Sequence, residues 1–447
     1  MSQRVGVALV GCGTVGGSTA ALLLDQEEKI HQRSGVHLEL RYIVDKNFDV
    51  ARSLELPETL FTEDLDTALS DPEVQIVIEL VGGTGFALEL SRRVLKAGKH
   101  LVTANKALLA HHGAELFPLA EQNGCSIGFE ASCGGGIPLV RTLYDGLMAN
   151  TIDAIYGIVN GTCNYILTEM IEKGQSYDDA LAQAQADGLA EADPTLDVAG
   201  IDSAHKICIM ASLAFGATVD LDRIPVAGIN RLQAEDVAYG NEMGYVIKLI
   251  ASAVQTNRGC FVRVEPAFIS MDHPLAWVGG SFNAVSIYGH AVGHTMYYGR
   301  GAGGSPTASA VAGDCIAIAG GAYPIQFKQI NIWQGKTKPA TQLDPAEIHQ
   351  RYYLRLMVQD KPGNLGRITT VLGSKGISLS SIMQHEIPES IQGDSNEPGS
   401  VPIVITTHRV KEADLHSAIR EIENLAAVQP GSAVIPIIDE HPEFREF

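Results

Sequence analysis

The sequence predicts an α/β chain of three units: an N-terminal doubly wound parallel sheet, a middle α+β unit, and a C-terminal βαββαβ module. Three observations carry this. Short apolar runs alternate with helix-like stretches through the first third, the pattern of a parallel sheet with right-handed helical crossovers. A glycine run, SCGGGIP (132–138), breaks the alternation, and mixed helical and β-rich segments follow. Beyond a polar, Pro-containing stretch, GKTKPATQLDPAEIHQ (335–350), the remaining runs order themselves as βαββαβ, a ferredoxin-like arrangement. The units fall at 1–133, 134–334 and 351–447, with 335–350 as linker; the segment around 305–334 is expected to pack back on the first unit.

Each element has its own signal. VGVALV (Val5–Val10) is a short apolar run, followed by glycines and a helix-like stretch through Leu24. LELRYIVD (Leu38–Asp45) and VQIVIELV (Val74–Val81) read as buried strands. FALELSRRVLKAG reads as a helix closed by Gly98. HLVTAN and CSIGFEAS complete five strands. After the glycine run, Pro138 suits the first turn of a new helix. VAGIDSAHKICIMASLAF reads as one helix, CFVRVEPAFIS and HTMYYG as β-rich. A second glycine loop, GRGAGGSP (299–306), precedes a small-residue helix, TASAVAGDCIAIAG. The last unit runs YYLRLMVQ (strand), DKPGNLG (loop), RITTVLGSKG (helix) and SLSSIMQHEI (strand). A polar Gly/Pro/acidic loop follows, then VPIVITTH (strand), KEADLHSAIREIENL (helix) and SAVIPII (strand).

Composition excludes several classes. Hydrophobic residues at 45% and charged ones at 19% mark a globular chain. A net charge of −20 argues against a nucleic-acid or anionic-membrane surface, which needs clustered Lys and Arg. No apolar run approaches the ~20 residues that span a bilayer, and MSQRVGVALVGCG lacks the cleavage pattern of a leader. Seven scattered cysteines without a C-x-x-C pair suit a reduced, cytoplasmic chain without disulfides or zinc.

GCGTVGG places Gly11, Gly13 and Gly16, with Thr14 and Val15 between them, after a strand and at the start of a helix. This is the Rossmann-type context in which glycines allow a tight turn and a pyrophosphate sits on the helix N-terminus. The acid expected on the second strand is Asp45, 29 residues past Gly16 rather than the ~20 typical of the fingerprint; a longer first helix explains the spacing. Asp45 favours a free ribose 2′-hydroxyl and hence NAD, whereas Lys46 suits a 2′-phosphate and hence NADP. TANK puts Thr103 and Lys106 at a strand C-terminus, where such sheets hold ligands. Cys133, among glycines at an expected helix N-terminus, is a candidate thiolate. The same glycines also suit exposed carbonyl oxygens that hold a hard monovalent cation.

LAEADPTLDVAGIDSAHK (189–206) gathers acids ahead of one lysine. Asp202 and Lys206 are spaced i, i+4 and share a helix face. Glu191 and Asp193 lie in the turn before it, and Asp197 near its start. Acids at a helix N-terminus also complement its dipole. The apolar run after Lys206 argues for more, because a lysine near the core needs partners and is a functional candidate. His205, its neighbour, is expected to point elsewhere.

Together GCGTVGG, TANK, FEASCGGGIP, GTCNYIL and GLAEADPTLDVAGIDSAHK resemble the homoserine dehydrogenase family over nearly the whole chain, and DKPGNLG resembles the signature loop of an ACT domain. The resemblance implies reversible NAD(P)H-dependent reduction of L-aspartate 4-semialdehyde to L-homoserine, on the route to threonine and methionine. It implies Lys206 as proton donor, and Glu191 and Asp202, with Asp197 beside them, around the substrate's ammonium end. Lys106 would contact cofactor and substrate, and Gly188 and Gly303 would approach either. The main-chain carbonyls of Glu130, Cys133, Gly135 and Ile137 would hold a structural sodium ion; Cys133 stands where the family pattern has a small or β-branched residue. The ACT tail implies feedback by L-threonine and a homodimer or homotetramer. Two rivals remain at this point: an acylating aspartate-semialdehyde dehydrogenase using Cys133, and a non-catalytic amino-acid or dinucleotide sensor.

Overall fold

The computed structural model of the chain describes residues 4–385 and 399–438. Its first sheet contains β1 (Arg4–Val10), β2 (His37–Val44), β3 (Phe61–Thr62), β4 (Val74–Glu79), β5 (His100–Thr103) and β6 (Ile127–Gly128). They lie in the order β3-β2-β1-β4-β5-β6, and every pair is parallel. Both faces are covered, which is why Val7, Leu9, Ile76 and Ile78 are all fully buried and the strands read as unbroken apolar runs. The strand order reverses between β1 and β4, so a crevice opens at their C-terminal ends. The sheet has six strands rather than five, because β3 is two residues long and too short to show a period. CSIGFEAS contributes only two residues to the sheet. Glu130 N–H turns away to donate to Asp314 Oδ2 at 2.8 Å, and Glu130–Ser132 closes a 3₁₀ turn.

The second sheet begins with β7 (Ile152–Ile158), β8 (Tyr245–Thr256), β9 (Gly259–Ser270), β10 (Asn283–Gly289) and β11 (Gly293–Gly299). All five pair antiparallel, in the order β11-β10-β7-β8-β9. The stretch read as a helix from Val198 starts only at Ile201: Gly200, at φ +83°, separates Ile201–Phe215 from a short helix before it, Thr195–Val198. Asp197 therefore hangs on the short helix, and Asp202 and Lys206 on the long one. The helix Gly304–Ala319 packs across Thr14–Asp25 of the first unit, so closely that a Cβ on Gly304 would lie 2.4 Å from Ser18 Oγ. Trp333, fully buried, stacks on Phe117 and Phe327.

The last unit contains β12 (His349–Gln359), β13 (Leu379–Gln384), β14 (Ser400–Thr407), β15 (Val410–Lys411) and β16 (Ala433–Ile438), with helices Asn364–Ser374 and Glu412–Glu423. The order β16-β12-β14-β13 is that of a ferredoxin-like module over its own core, which includes Leu356, Ile368, Ile405 and Leu415. β16 also pairs in parallel with β9, through Ile437↔Phe268 and Ile438↔Ile269, so one sheet runs from β11 to β13. The 335–350 segment is laid down along the middle unit: Ala340 N–H donates to Thr218 O, Cys260 N–H to Thr341 O and Leu343 N–H to Cys260 O. Strand β12 already starts at His349. The polar loop at 386–398, with the last two residues of SLSSIMQHEI, and residues 439–447 lie outside the described residues.

Candidate active site

The glycine loop is built to admit a pyrophosphate. Gly11 has φ +95°, and a Cβ on Gly16 would lie 1.9 Å from Gly11 O, so both positions demand glycine. A Cβ on Gly13 would meet open space. No side chain caps the helix that starts at Thr14, so its first N–H groups stay available to an anion. Asp45 braces this loop. Its Oδ2 accepts from Cys12 N–H at 2.5 Å, and its Oδ1 accepts from the N–H groups of Lys46 and Asn47. Lys46 is exposed beside it. Thr103 is fully buried and does not face the crevice. Its hydroxyl donates to Glu79 Oε2 at 2.5 Å and accepts from Asn105 N–H, which shapes the turn before Lys106.

Below this crevice a cleft of about 540 Å³ brings together Val15, Lys106, Asp202, Lys206, Gly188 and Gly303. Gly188 and Gly303 hold φ of +70° and +113°, which keeps side chains off the cleft wall. At its centre one carboxylate joins two lysines. Asp202 Oδ2 accepts from Lys206 Nζ at 2.7 Å, and Asp202 Oδ1 faces Lys106 Nζ at 2.8 Å. Lys206, 7% exposed, also donates to Val159 O at 2.6 Å. Burial opposes charge on Asp202, yet the two ammonium groups outweigh it and hold its carboxyl far below the usual carboxylate range. Burial likewise lowers the Lys106 pKa, but Asp202 more than reverses this, so Lys106 stays charged. Asp197 lines the same cleft, so the two lysines act on an oxygen gaining charge by their nearness rather than through a net positive charge.

An adjoining cleft of about 420 Å³ is lined by Glu191, Asp193, Asp197 and Asp202. Glu191 is exposed there. His205 lines this space too, edge-on to His111 at 5.4 Å, instead of pointing away. Composition and spacing hid a further residue. Asn160 donates from Nδ2 to Asp197 Oδ1 at 2.7 Å and to Asp202 Oδ2 at 2.9 Å, locking the two acids together. It stands in the N-cap position of Gly161–Lys173, with Oδ1 accepting from Cys163 N–H, and that cap signature was its one sequence signal.

Cys133 is fully buried, and burial pushes its thiol up to about 12. It lies far from the thiolate state a nucleophile needs. The carbonyls of Cys133 and Gly135 accept no main-chain hydrogen bond among the described residues. Glu130 O receives only a 3.4 Å bond from Cys133 N–H, and Ile137 O accepts from Leu139 N–H at 2.8 Å. Neutral oxygens with lone pairs to spare fit a monovalent cation. No group of three or more His, Cys, Asp or Glu that could hold a metal ion occurs among the described residues.

Comparison with known proteins gives this geometry a setting. The family profile described as homoserine dehydrogenase matches residues 138–316, and the one described as homoserine dehydrogenase, NAD binding domain, matches 11–130. The ACT domain profile matches 352–427. A homoserine dehydrogenase of Neisseria gonorrhoeae is 40% identical over 96% of this chain and 97% of its own. The crystal structure of a homoserine dehydrogenase from Thiobacillus denitrificans superposes with a TM-score of 0.90 at 39% identity, covering 98% of this chain and 99% of that one. A hyperthermophilic archaeal homoserine dehydrogenase in complex with NADPH matches 70% of this chain and 97% of its own, at 26% identity and a TM-score of 0.59.

Proposed function

The chain belongs to the homoserine dehydrogenase family, and on that footing we propose that Lys206, clamped by Asp202, carries the proton transfer of its reaction. The enzyme is an NAD(P)-dependent oxidoreductase acting on a CH–OH group, interconverting L-aspartate 4-semialdehyde and L-homoserine. NAD(P)H, when bound, supplies the hydride. As the aldehyde oxygen gains charge, Lys206 gives it a proton and Lys106 adds a second positive charge. An ammonium has three donors. Asp202 and Val159 O take two from Lys206, leaving one for the substrate. That single observation carries the assignment. Replacing Lys206 by Met should lower kcat by ~10²–10⁴ while the NAD(P)H dissociation constant, read by fluorescence titration, stays nearly unchanged. A variant that turns over at the wild-type rate would end it.

Around this centre, Glu191 and Asp202, with Asp197 beside them, receive the substrate's ammonium, with Gly188 allowing close approach. Gly11, Gly13, Thr14, Val15, Gly16 and Gly303 surround the dinucleotide, with Thr103 acting from beneath through the TANK turn. The cofactor is NADP or NAD: the NADPH-bound archaeal relative and the exposed Lys46 support the first, Asp45 the second. Assays with both dinucleotides side by side decide. A structural sodium ion on the carbonyls of Glu130, Cys133, Gly135 and Ile137 is supported by the oxygens of Cys133 and Gly135, which accept no main-chain hydrogen bond among the described residues. Thermal unfolding in sodium against tetramethylammonium salts at equal ionic strength tests it. The ACT tail suggests amino-acid regulation, and L-threonine, the end product of the route, is the effector we propose. Exposed Tyr298 on the edge strand β11, and exposed Trp277 in a turn packed on β8, β9 and β10, support a homodimer or homotetramer. Seven buried free cysteines support a cytoplasmic location.

A further inference from the structure

A cavity of about 160 Å³ lies apart from the catalytic cleft and shares no lining residue with it. The catalytic sheet gives it Tyr156, Ser252 and Arg263, register neighbours on β7, β8 and β9, and Glu265 two residues on. The tail unit gives it Arg351 of β12 and Arg409, which lies between β14 and β15. The cavity therefore exists only where the two units meet. Its charges are mixed. Arg263, 8% exposed, donates from Nη1 to Glu412 Oε2 at 3.0 Å and from Nη2 to Glu265 Oε2. One guanidinium thus serves two carboxylates, and His416 reaches Glu412 at 3.7 Å rather than Glu265. Glu265 Oε1 accepts no hydrogen bond among the described residues. Burial holds the Glu265 carboxyl above its usual range although Arg263 works against it, so a cation brought to Oε1 would stabilise the carboxylate. Arg351 and Arg409 set the opposite charge in the same space, and a guanidinium fork matches a carboxylate. Arg351 is held in place, donating from Nε to Thr407 O at 3.2 Å and from Nη2 to Ser380 Oγ at 3.4 Å.

An acid on one unit and guanidinium groups on the other, around so small a space, match the two charges of an α-amino acid. The wall also holds the Ser252 hydroxyl, which makes no hydrogen bond among the described residues, and the apolar Val254. Together they suit a side chain with one hydroxyl and one methyl. We propose that this seam cavity is the binding site of the regulatory amino acid, with its ammonium on Glu265 and its carboxylate on Arg351 and Arg409. The proposal rests on the reading of L-threonine as effector, and it gives the tail a reason to be docked rather than tethered. Arg263 and Glu265 flank Val264, and side chains alternate along a strand. Val264 faces the other way, where its side chain would lie 3.2 Å from a Cβ on Gly200, two residues before Asp202. The effector and the base of the catalytic helix thus sit on opposite faces of one strand.

The test uses the full chain. Isothermal titration with L-threonine gives a dissociation constant, and kcat on L-homoserine reports that each variant is folded. Glu265→Gln keeps the shape and the hydrogen bond from Arg263 but removes the charge. Its dissociation constant for L-threonine should rise at least ~10-fold, the loss of one hydrogen bond to a charged group, with kcat within twofold of wild type. Ser252→Leu fills the cavity from the catalytic sheet, leaves every charge in place, and serves if the first variant does not fold; the same loss is expected. Dissociation constants within twofold of wild type in a folded variant would put the effector elsewhere on the chain and overturn the proposal while leaving threonine regulation intact. A wild-type chain that neither binds L-threonine nor is inhibited by it would instead remove the effector reading, and the proposal with it.

Discussion

One lysine in this chain works inside an ion network, and another is buried without one. Lys206 shares Asp202 with Lys106. Lys248, 3% exposed, has only neutral partners: it donates to Val278 O at 2.7 Å and Asn164 Oδ1 at 3.1 Å. Burial lowers its pKa from 10.5 to about 8. The folded state therefore gives up this proton before the unfolded state does. Burying the charge costs about 3 kcal/mol below pH ~8, and that cost fades as pH rises from there through the unfolded value. Wild type should accordingly gain about 3 kcal/mol relative to Lys248→Met between pH 7 and 11. Urea midpoints for both proteins at several pH values measure this, and a constant gap would refute it. A second residue-scale expectation concerns thiols. Cys133 is fully buried and pushed up to about 12, so iodoacetamide should leave the native enzyme active; rapid inactivation traced to Cys133 would revive the acylating alternative. The Asp202–Lys206 pair was legible because i, i+4 spacing is local. The third partner was not, because Lys106 arrives from the end of β5 and only the fold brings it to Asp202.

At the scale of elements, apolar period revealed the long strands and helices, and it failed where backbone conformation or side-chain capture decides. Gly200 moves the start of the helix read from Val198 to Ile201, because its φ of +83° cannot belong to a helical turn. β3 is too short to carry a pattern. CSIGFEAS leaves the sheet where Asp314 captures the Glu130 N–H. The glycine loop was legible because its spacing encodes geometry directly. At Gly16 that geometry is tightest, with backbone rather than a flexible side chain in the path of any Cβ. Gly16→Ala must push Gly11 O away and distort the turn that holds the pyrophosphate. The dissociation constant for NAD(P)H should rise at least ~10-fold, roughly the loss of one good hydrogen bond to a charged group. Fluorescence quenching on titration reads this, and unchanged affinity would show that the loop yields without harm.

At the scale of the whole molecule, the three units were visible as composition and pattern, but their attachment was not. A linker reading of 335–350 implies a tethered tail, whereas β16 extends the catalytic sheet at β9. Among the described residues two pairs form that parallel ladder, and side chains add to the holding. Arg355 of β12 reaches Asp236 of the helix Ala234–Glu242 with Nε at 2.7 Å and Nη2 at 3.0 Å, and Tyr353 donates to the same carboxylate at 2.9 Å. Arg355 and Asp236 are 4% and 2% exposed. Removing one member of such a pair strands the other charge and costs about 3–5 kcal/mol. From the seam, contacts continue toward the active centre: β9 carries Val264, whose O accepts from Ala227 N–H and whose side chain would lie 3.2 Å from a Cβ on Gly200, two residues before Asp202. β9 thus touches the base of the catalytic helix. Arg355→Met touches no catalytic group, so basal kcat should persist. Its calorimetric trace should lose the single cooperative transition expected of wild type, with the tail unit melting first, and half-inhibition by threonine, where wild type shows it, should require at least five times more effector. A variant that still melts in one step, with inhibition unshifted, would show that the two-pair ladder alone couples the units.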